Sequence, residues 1–233
     1  MRRTTAGVIP GKELLPALIA RVERHDPRRV VRLLEPLVLD RRAERLRSVI
    51  DQRLASVQVV FDAPHDPHNG AAVIRTCEAF GVQFVHVVER KERFLSATSV
   101  SRGSEKWVDV QRWPNVPDVV TELRAQGLEL VAAHPDGELA PHDLAAIPRF
   151  ALVLGNERDG IAEELAAACK KRVKVPMRGF IESLNVSVTA AVLLAQATYG
   201  RKGDLSEDDR VRMYARGLYL TVEKADEVLK DLP

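Results

Sequence analysis

Five short apolar runs lie in the middle of the chain and predict the strands of a sheet. Most have few polar residues, as is typical of strands buried on both faces of a parallel sheet. The runs are 57–61, 84–88, 128–133, 150–154 and 172–176. Helical patterns lie between them at 70–80, 117–126 and 161–171. Strands and helices in this arrangement predict a doubly wound α/β domain.

Helical periodicity marks the beginning of the chain. Apolar residues recur at helical spacing over 14–22 and 30–34. Between them, Asp26-Pro27 is typical of a helix cap followed by the first helical residue. A third helix is predicted over 41–54. We interpret these three helices as an accessory arm.

The end of the chain is also helical. The stretch 186–199 is apolar and uncharged, which predicts a helix buried between elements or between subunits. After Gly200 the sequence becomes polar, and Ser206 followed by Asp209 is typical of a helix start. The chain therefore divides into a basic helical N-terminal extension (1–54), an α/β domain (55–200) and a helical C-terminal extension (201–233).

Basic residues are concentrated in the first extension. Residues 1–56 hold 13 Lys and Arg against 7 Asp and Glu, although the net charge of the whole chain is only +2. All of these basic residues except Lys12 are arginines. The planar arginine fork can make two parallel hydrogen bonds to a phosphate. Nucleic-acid binding is therefore one interpretation, and a solvated helix face is the other.

Composition excludes several classes of protein. A chain with 45% hydrophobic and 29% charged residues is neither disordered nor collagen-like. The two isolated cysteines, Cys77 and Cys169, are typical of a reduced intracellular protein. No apolar run reaches the ~18 residues of a membrane span, and charged residues interrupt the apolar stretch near the N-terminus. We expect a cytoplasmic protein with no membrane partner.

A first polar cluster, at 63–81, lies at the strand edge where open α/β sheets bind ligands. Asn69 is expected to cap the helix that carries Arg75. On its own, this pair favours the interpretation as a helix cap and a surface arginine over that as a functional site. Two histidines and two aspartates in the same region suggest metal ligands, but no compact ligand motif is present. We therefore expect no metal.

Two further clusters follow later strands. Glycines bracket the turn at 154–161, where they permit positive φ angles or a close approach of a ligand. This turn lacks the lysine of a phosphate loop and the spacing of a dinucleotide fingerprint, which disfavours ATP hydrolysis and NAD binding. At 175–197, Ser183, Asn185 and Ser187 lie at the start of the apolar helix, where such residues usually act as caps. No nucleophile elbow indicates a hydrolase.

Together, three segments resemble the ordered motifs of the SpoU family of RNA ribose 2′-O-methyltransferases. They are NGAAVIRTCEAFG (69–81), LVLGNERDG (152–160) and VPMRGFIESLNVSVTAAVLLAQA (175–197). SRGSEKWVDV (101–110) and GLELVAAHPDGE (127–138) are further similar to the TrmH branch, which methylates guanosine eighteen of the tRNA D-loop. Residues 1 to about 37 and the C-terminal tail lie outside this resemblance.

The resemblance implies a SPOUT fold, in which the C-terminal segment of a parallel α/β sheet forms a deep trefoil knot. Knots are so rare that general topology rules would not suggest one. The resemblance further implies a homodimer, S-adenosylmethionine as the methyl donor bound in the knot, and tRNA as the substrate. Ribosomal RNA as the substrate and a non-catalytic RNA-binding role remain as alternatives.

The resemblance also assigns roles to residues. It gives catalytic roles to Asn69, Arg75, Glu157, Ser183 and Asn185. The donor pocket is expected to contain Ala133, Gly155, Asn156, Glu157, Arg158, Asp159, Val175, Met177 and Leu184. The candidate RNA contacts are His68, Arg75, Lys106, Arg201 and Lys202. Because a guanidinium stays protonated, we expect Arg75 to bind a phosphate and stabilise developing charge on the ribose oxygen.

Overall fold

A six-stranded, fully parallel sheet forms the centre of the computed structural model, which describes residues 15–89, 103–156 and 158–230. The strands are β1 (Val57–Asp62), β2 (Phe84–Val88), β3 (Asp109–Trp113), β4 (Glu129–Ala133), β5 (Phe150–Leu154) and β6 (Lys171–Val173). Their spatial order is β3-β2-β1-β5-β4-β6. The predicted parallel α/β sheet is therefore confirmed, and β2 and β5 have the predicted bounds.

Helices cover both faces of the sheet and both ends of the chain. They are α1 (Leu15–Val22), α2 (Pro27–Leu34), α3 (Asp40–Ile50), α4 (Pro67–Ala79), α5 (Val116–Ala125), α6 (Glu163–Ala168), α7 (Val186–Thr198), α8 (Glu207–Tyr219) and α9 (Ala225–Lys230). Short 3-10 helices occupy Glu35–Leu37, Ser104–Lys106 and Pro141–Ala146. None of the helices in the described ranges has the length and apolarity needed to cross a membrane.

Strand β3 is a strand that the apolar pattern did not predict. Among the strands of the described residues it pairs only with β2, and it lies at the edge of the sheet. Its sequence, DVQRW, has three polar residues and no continuous apolar run, and none of its residues is fully buried. A search for continuous apolar runs finds strands covered on both faces, such as β1 and β5, in which every residue is buried. It misses an edge strand of this kind.

The core lies on the two faces of the sheet. On one face, α4, α7 and the 3-10 helix Pro141–Ala146 pack against the strands, and on the other α5 and α6 do so. The uncharged helix α7 buries one side, through Ala190, Leu193, Leu194 and Ala197. Val188 and Val192, on its other side, remain exposed. One face of α7 is thus buried between elements as predicted, and burial of the other face between subunits stays a prediction.

A small polar network is buried within the sheet. The Trp113 indole Nε1 donates to His86 Nδ1 at 3.0 Å, and His86 Nε2 lies 2.7 Å from Gln58 Oε1. Because Nδ1 accepts from Trp113, Nε2 carries the hydrogen and donates to Gln58. Burial lowers the pKa of His86 to about 4. The imidazole is therefore neutral near pH 7, with both nitrogens hydrogen-bonded.

The helices at the two ends of the chain form one layer. Helices α1, α2 and α3 share an apolar cluster with α8 and α9. The predicted helix starts are confirmed: Asp26 accepts from the Arg29 amide at 2.7 Å, and Ser206 accepts from the Asp209 amide at 3.1 Å. The basic N-terminal helices are thus packed against the C-terminal helices and are not a detached arm.

Asp109 connects this helical layer to the sheet. Arg216 and Arg212 of α8 approach its two carboxylate oxygens at 2.7 and 2.8 Å. Burial acts to raise the pKa of Asp109, but the Arg216 charge and the Arg212 hydrogen bond hold it below its usual value. Arg216 is itself fully buried. The carboxylate on β3, together with Glu23 at 3.3 Å from Arg216 Nη2, therefore neutralises the charge that α8 buries.

Beyond β4, the chain wraps around the end of β6. Val173 pairs with Ala133 on one side and forms a β-bridge with Leu139 on the other. Gly137, in the connecting loop, has no space for a side chain, because a Cβ there would lie 2.5 Å from the Val173 carbonyl carbon. The loop 134–138 thus holds β6 between two stretches of one continuous segment.

Candidate active site

A cavity of about 580 Å³ opens at the carboxyl ends of β4, β5 and β6. This is the edge at which open α/β sheets bind ligands. Its volume lies within the range of roughly 300–1,000 Å³ that is common for small-molecule sites. Its walls come from the ends of these strands, from the turn after β5 and from the segment that leads into α7.

A tight glycine turn forms one wall of the cavity. The backbones of Asn156 and Gly160 exchange hydrogen bonds of 3.1 and 3.2 Å. Gly160 has a φ of +67°, and a Cβ on Gly155 would lie 2.3 Å from the Gly160 carbonyl carbon. Glycine is therefore required at both positions. The Ala162 amide donates to the buried carboxylate of Asp62 at 2.6 Å, which anchors the turn to β1.

The Asn156 side chain both shapes this turn and offers a donor. Its Oδ1 accepts from the amides of Arg158 and Asp159 at 2.9 and 2.8 Å. Its Nδ2 is buried and, within the part of the chain that the structure describes, has no hydrogen-bond acceptor. A buried donor without a partner is costly. Asn156 is also one of the residues that line the cavity.

Two asparagines join α4 to α7 beside the cavity. Asn185 caps α7, accepting at Oδ1 from the amide and the hydroxyl of Ser187 at 2.8 and 2.6 Å. Its Nδ2 donates to Asn69 Oδ1 at 3.1 Å. The prediction that Asn69 caps α4 is wrong, because Asp66 holds that position and accepts from the His68 amide. Asn69 lies inside the first turn, where it binds Asn185.

Most of the predicted pocket residues surround this cavity. Its lining includes Ala133, Gly155, Asn156, Asp159, Val175, Met177 and Leu184, together with Ser183 and Asn185 from the predicted catalytic set. Arg158 is exposed and is not part of the lining. Glu157 lies outside the described residues.

Arg75 is separated from the cavity. It lies on the exposed side of α4 and does not contribute to the cavity lining. At about 100° per residue, it is turned about 120° around the helix axis from Asn69. No hydrogen bond or ion pair holds its guanidinium within residues 15–89, 103–156 and 158–230. Arg75 is thus free to bind a partner outside the chain.

The candidate RNA contacts differ in their availability. His68 and Lys202 are exposed, and Lys106 is half-buried. Arg201 has a structural role that the sequence did not predict. Its Nη1 donates to the Pro148 carbonyl at 2.8 Å, and its Nε donates to the Ala197 carbonyl at 2.7 Å. Its Nη2 binds further carbonyls, including Ile147 O at 2.5 Å. Because its donors are used in this way, we do not assign Arg201 to RNA.

Several cavity residues were not predicted, although the motifs contained a signal for them. His134 lies in the quoted segment after β4, and Glu182 precedes Ser183. Arg172 and Lys174 line the cavity from the end of β6. Each lies at or after the carboxyl end of a strand, which is the position that the edge rule favours.

The two histidines considered as metal ligands lie near the cavity. His65 Nε2 is 3.8 Å from a carboxylate oxygen of Asp159 in the glycine turn, and His68 is exposed in the first turn of α4. The described part of the chain contains no group of three or more histidine, cysteine or acidic side chains arranged for a metal.

Comparison with known proteins places this chain in one family. The family model described as "SpoU rRNA Methylase family" matches residues 56–195. The chain belongs to this family.

The relatives include a tRNA (guanosine(18)-2′-O)-methyltransferase of Escherichia coli (strain K12). It is 32% identical over 162 residues, which cover 69% of this chain and 71% of the relative. A TrmH/SpoU tRNA modifying enzyme of A. aeolicus aligns with a TM-score of 0.70 and 28% identity over 79% of this chain and 98% of its own. AviRb of Streptomyces viridochromogenes, solved with the cofactor AdoMet, aligns with a TM-score of 0.57 and 26% identity over 64% and 60% of the two chains.

The close contact in the glycine turn leads to a first prediction. Gly155→Ala places a methyl group against the Gly160 carbonyl, and relieving this overlap opens the turn. We expect the free energy of unfolding to fall by about 1–3 kcal/mol, measured by urea denaturation.

Gly179→Ala is the matched control, because a Cβ at Gly179 meets no atom within 4 Å. This variant should stay within about 0.5 kcal/mol of the wild type. Equal effects of the two substitutions would contradict the assigned role of Gly155.

Proposed function

We propose that this protein is an S-adenosylmethionine-dependent RNA ribose 2′-O-methyltransferase whose target is the D-loop guanosine eighteen of tRNA. The observation that carries the proposal is the Asn185–Asn69 hydrogen bond beside the cavity. It joins the helix of the first family motif to the helix of the third at the edge of the donor pocket. The names of the E. coli and A. aeolicus relatives support tRNA as the substrate class.

The cavity fits the donor. Apolar side chains such as Leu154, Val175 and Met177 can pack against an adenine ring and a methionyl chain. The buried Asn156 Nδ2 supplies a hydrogen-bond donor that would otherwise be unsatisfied. Glu182 lies at the same cavity and can attract the positive charge of the donor. AviRb, of similar fold, is solved with AdoMet.

The reaction requires alignment of two groups and removal of a proton. When bound, S-adenosylmethionine supplies a methyl carbon on a positively charged sulfur, which is already a good leaving group. The chain then has to hold the ribose 2′-oxygen in line with that carbon. Ser183 and Asn185 border the cavity and can position the ribose by hydrogen bonds.

Arg75 acts on the RNA side of the reaction. Its guanidinium is exposed, and no group of the described chain neutralises it. It binds the phosphate next to the target ribose and stabilises the negative charge that develops on the 2′-oxygen as the hydroxyl proton is released to solvent water. The arginine keeps its own proton throughout, in agreement with its high pKa.

The proposal includes a knotted backbone. Residues 134–138 hold the end of β6 between β4 and Leu139. The chain then continues through 174–185 to α7, which packs beside α4 on one face of the sheet. This path supports a C-terminal segment that passes through a loop of the same chain, as the family resemblance implies.

The proposal also includes a homodimer. An apolar surface remains exposed beside the donor cavity, formed by Phe180, Ile181, Val188, Val192 and Tyr199. Val188 and Val192 lie one turn apart on α7, opposite the side that packs on the sheet. Exposed apolar residues that neighbour one another, as Val188 and Val192 do, are typical of a protein–protein interface. A second copy of the chain covers it.

The activity is tested with labelled S-adenosylmethionine and unmodified tRNA transcripts. We expect label in the tRNA and none in a transcript in which guanosine eighteen is replaced. A transcript changed at a different D-loop guanosine is the control and should still be labelled. Label that persists without guanosine eighteen would identify another nucleotide. Transfer to rRNA and not to tRNA would favour the alternative substrate.

The role of Arg75 predicts the effect of Arg75→Lys. Lysine keeps the charge but loses the fork. We expect kcat for tRNA methylation to fall by at least about tenfold, whereas S-adenosylmethionine binding stays unchanged. Arg149→Lys is the control. Arg149 is exposed just before β5, at the amino ends of the strands, whereas the cavity lies at their carboxyl ends. Full activity with normal RNA affinity in Arg75→Lys would rule out the proposed role.

The proposed dimer predicts a change of mass. Wild-type protein should sediment as two chains, and Val188→Asp should sediment as one, because the interface would bury an unpaired carboxylate. Leu39→Asp introduces the same charge at another exposed apolar residue, the N-cap of α3, and should stay dimeric. A wild-type monomer, or a fully dimeric Val188→Asp variant, would contradict this interface.

A further inference from the structure

We propose that a groove beside α3 binds an unstacked nucleobase of the RNA substrate, a few nucleotides from the methylated ribose. This inference rests on the proposed function, because it assigns a second contact to the same RNA. The groove, named the α3 groove, has a volume of about 240 Å³. Its lining includes Arg42, Arg45, Arg53, Glu78, Trp107 and Met213.

Trp107 lines the α3 groove from a backbone that hydrogen bonds hold in place. Its main-chain carbonyl accepts hydrogen bonds from the buried guanidinium of Arg53 and, at 3.2 Å, from Gln83 Nε2. Arg53 also donates to Gln83 Oε1 at 2.8 Å and to the Glu78 carbonyl at 3.0 Å. The backbone on both sides of the groove is thus held by one side chain. The half-buried aromatic ring that this backbone carries provides a stacking surface for a base.

The charges around the α3 groove favour the binding of a nucleotide. Arg42 and Arg45 are exposed at its rim, and neither has an ionic or hydrogen-bonded partner within the described residues. Arginines of the two preceding helices do have partners, as in the pairs Arg21–Asp226 of α1 and Arg28–Asp208 of α2. Two free guanidinium groups beside an aromatic ring favour phosphates next to a stacked base.

Glu78 determines which part of the nucleotide enters the groove. Its carboxylate, 3.9 Å from Arg53 Nη1, lies on the wall of the α3 groove. This negative group disfavours a phosphate inside the groove and accepts hydrogen bonds from the N–H groups of a base. The base therefore lies inside, against Trp107, and the phosphates lie at the rim, on Arg42 and Arg45.

Helix α4 connects this groove to the active site. Asn69, at the donor cavity, and Glu78, at the groove, are separated by about 14 Å along the helix and by about 180° around it. Arg75 lies on the exposed ridge between them, about 60° from Glu78. The neighbours of Arg75 along the helix, Ala72 and Ala79, have small side chains and do not obstruct this ridge. An RNA strand that crosses the ridge contacts the cavity, Arg75 and the α3 groove in order.

Tryptophan fluorescence tests the stacked base directly. The chain has two tryptophans, Trp107 and Trp113. Trp113→Phe leaves only Trp107, and Trp107→Phe leaves only Trp113, whose ring binds His86 within the sheet. On titration with unmodified tRNA we expect quenching of Trp107 emission and little change of Trp113 emission. Inorganic polyphosphate carries charge without bases and should not quench Trp107.

Steady-state kinetics provide the second measurement. Trp107→Ala should raise KM for tRNA by about tenfold and leave kcat within about twofold, because stacking contributes to binding. Trp107→Phe keeps a ring and should restore most of the affinity. Thermal unfolding of each variant checks the fold.

The outcomes separate this inference from the proposed function. Methyl transfer to tRNA without specific quenching of Trp107, or an unchanged KM in Trp107→Ala, would overturn the stacked base and leave the activity standing. Quenching by polyphosphate equal to that by tRNA would also overturn it. Specific quenching by tRNA without any methyl transfer would contradict the proposed activity alone.

Discussion

The candidate active site, at the carboxyl ends of the strands, depends on the backbone contact between β6 and the loop that follows β4. Val173 lies between Ala133 and Leu139, and Gly137 allows the close approach because it has no side chain. This contact fixes where β6 ends, and so where the segment 174–185 begins. That segment supplies one wall of the cavity and ends at Asn185, the cap of α7. The orientation of α7 and the hydrogen bond to Asn69 therefore both follow from the position of β6.

The basic N-terminal helices combine two roles that the sequence could not separate. Some of their arginines bind within the protein, as Arg53 does below the α3 groove. Others, such as Arg42 and Arg45, are exposed without a partner in the described residues. All are equivalent in a count of charges, because charge alone does not report which carboxylates or carbonyls the fold brings close. The same is true of α8 at the other end of the chain. Two of its arginines pair with Asp109, which lies far from them in the sequence.

Burial explains which elements the sequence predicted well. Strands β2 and β5 are apolar runs whose bounds agree with the structure, whereas β3 is a polar edge strand and was missed. Local capping rules worked at Asp26 and Ser206, but at α4 they chose Asn69 over Asp66, because both residue types are good caps.

The candidate site also contains residues that the sequence predicted well and residues that it did not. Seven of the predicted donor-pocket residues line one cavity because the motifs follow strand ends. Arg201 was assigned to RNA on its charge. Only the fold shows that backbone carbonyls surround its guanidinium.

The two sides of the active site differ in how far they are formed before RNA binds. On the donor side, Gly155, Asn156 and Asn185 are held by backbone contacts and hydrogen bonds within the chain. On the side that we propose binds RNA, Arg75 is exposed and unpaired within the described residues. A guanidinium in water stabilises a developing alkoxide weakly, since water screens its charge. Its effect grows when a bound RNA strand excludes water and a phosphate fixes its position. Binding of the RNA thus completes the site, which favours methylation of a held ribose over transfer to water.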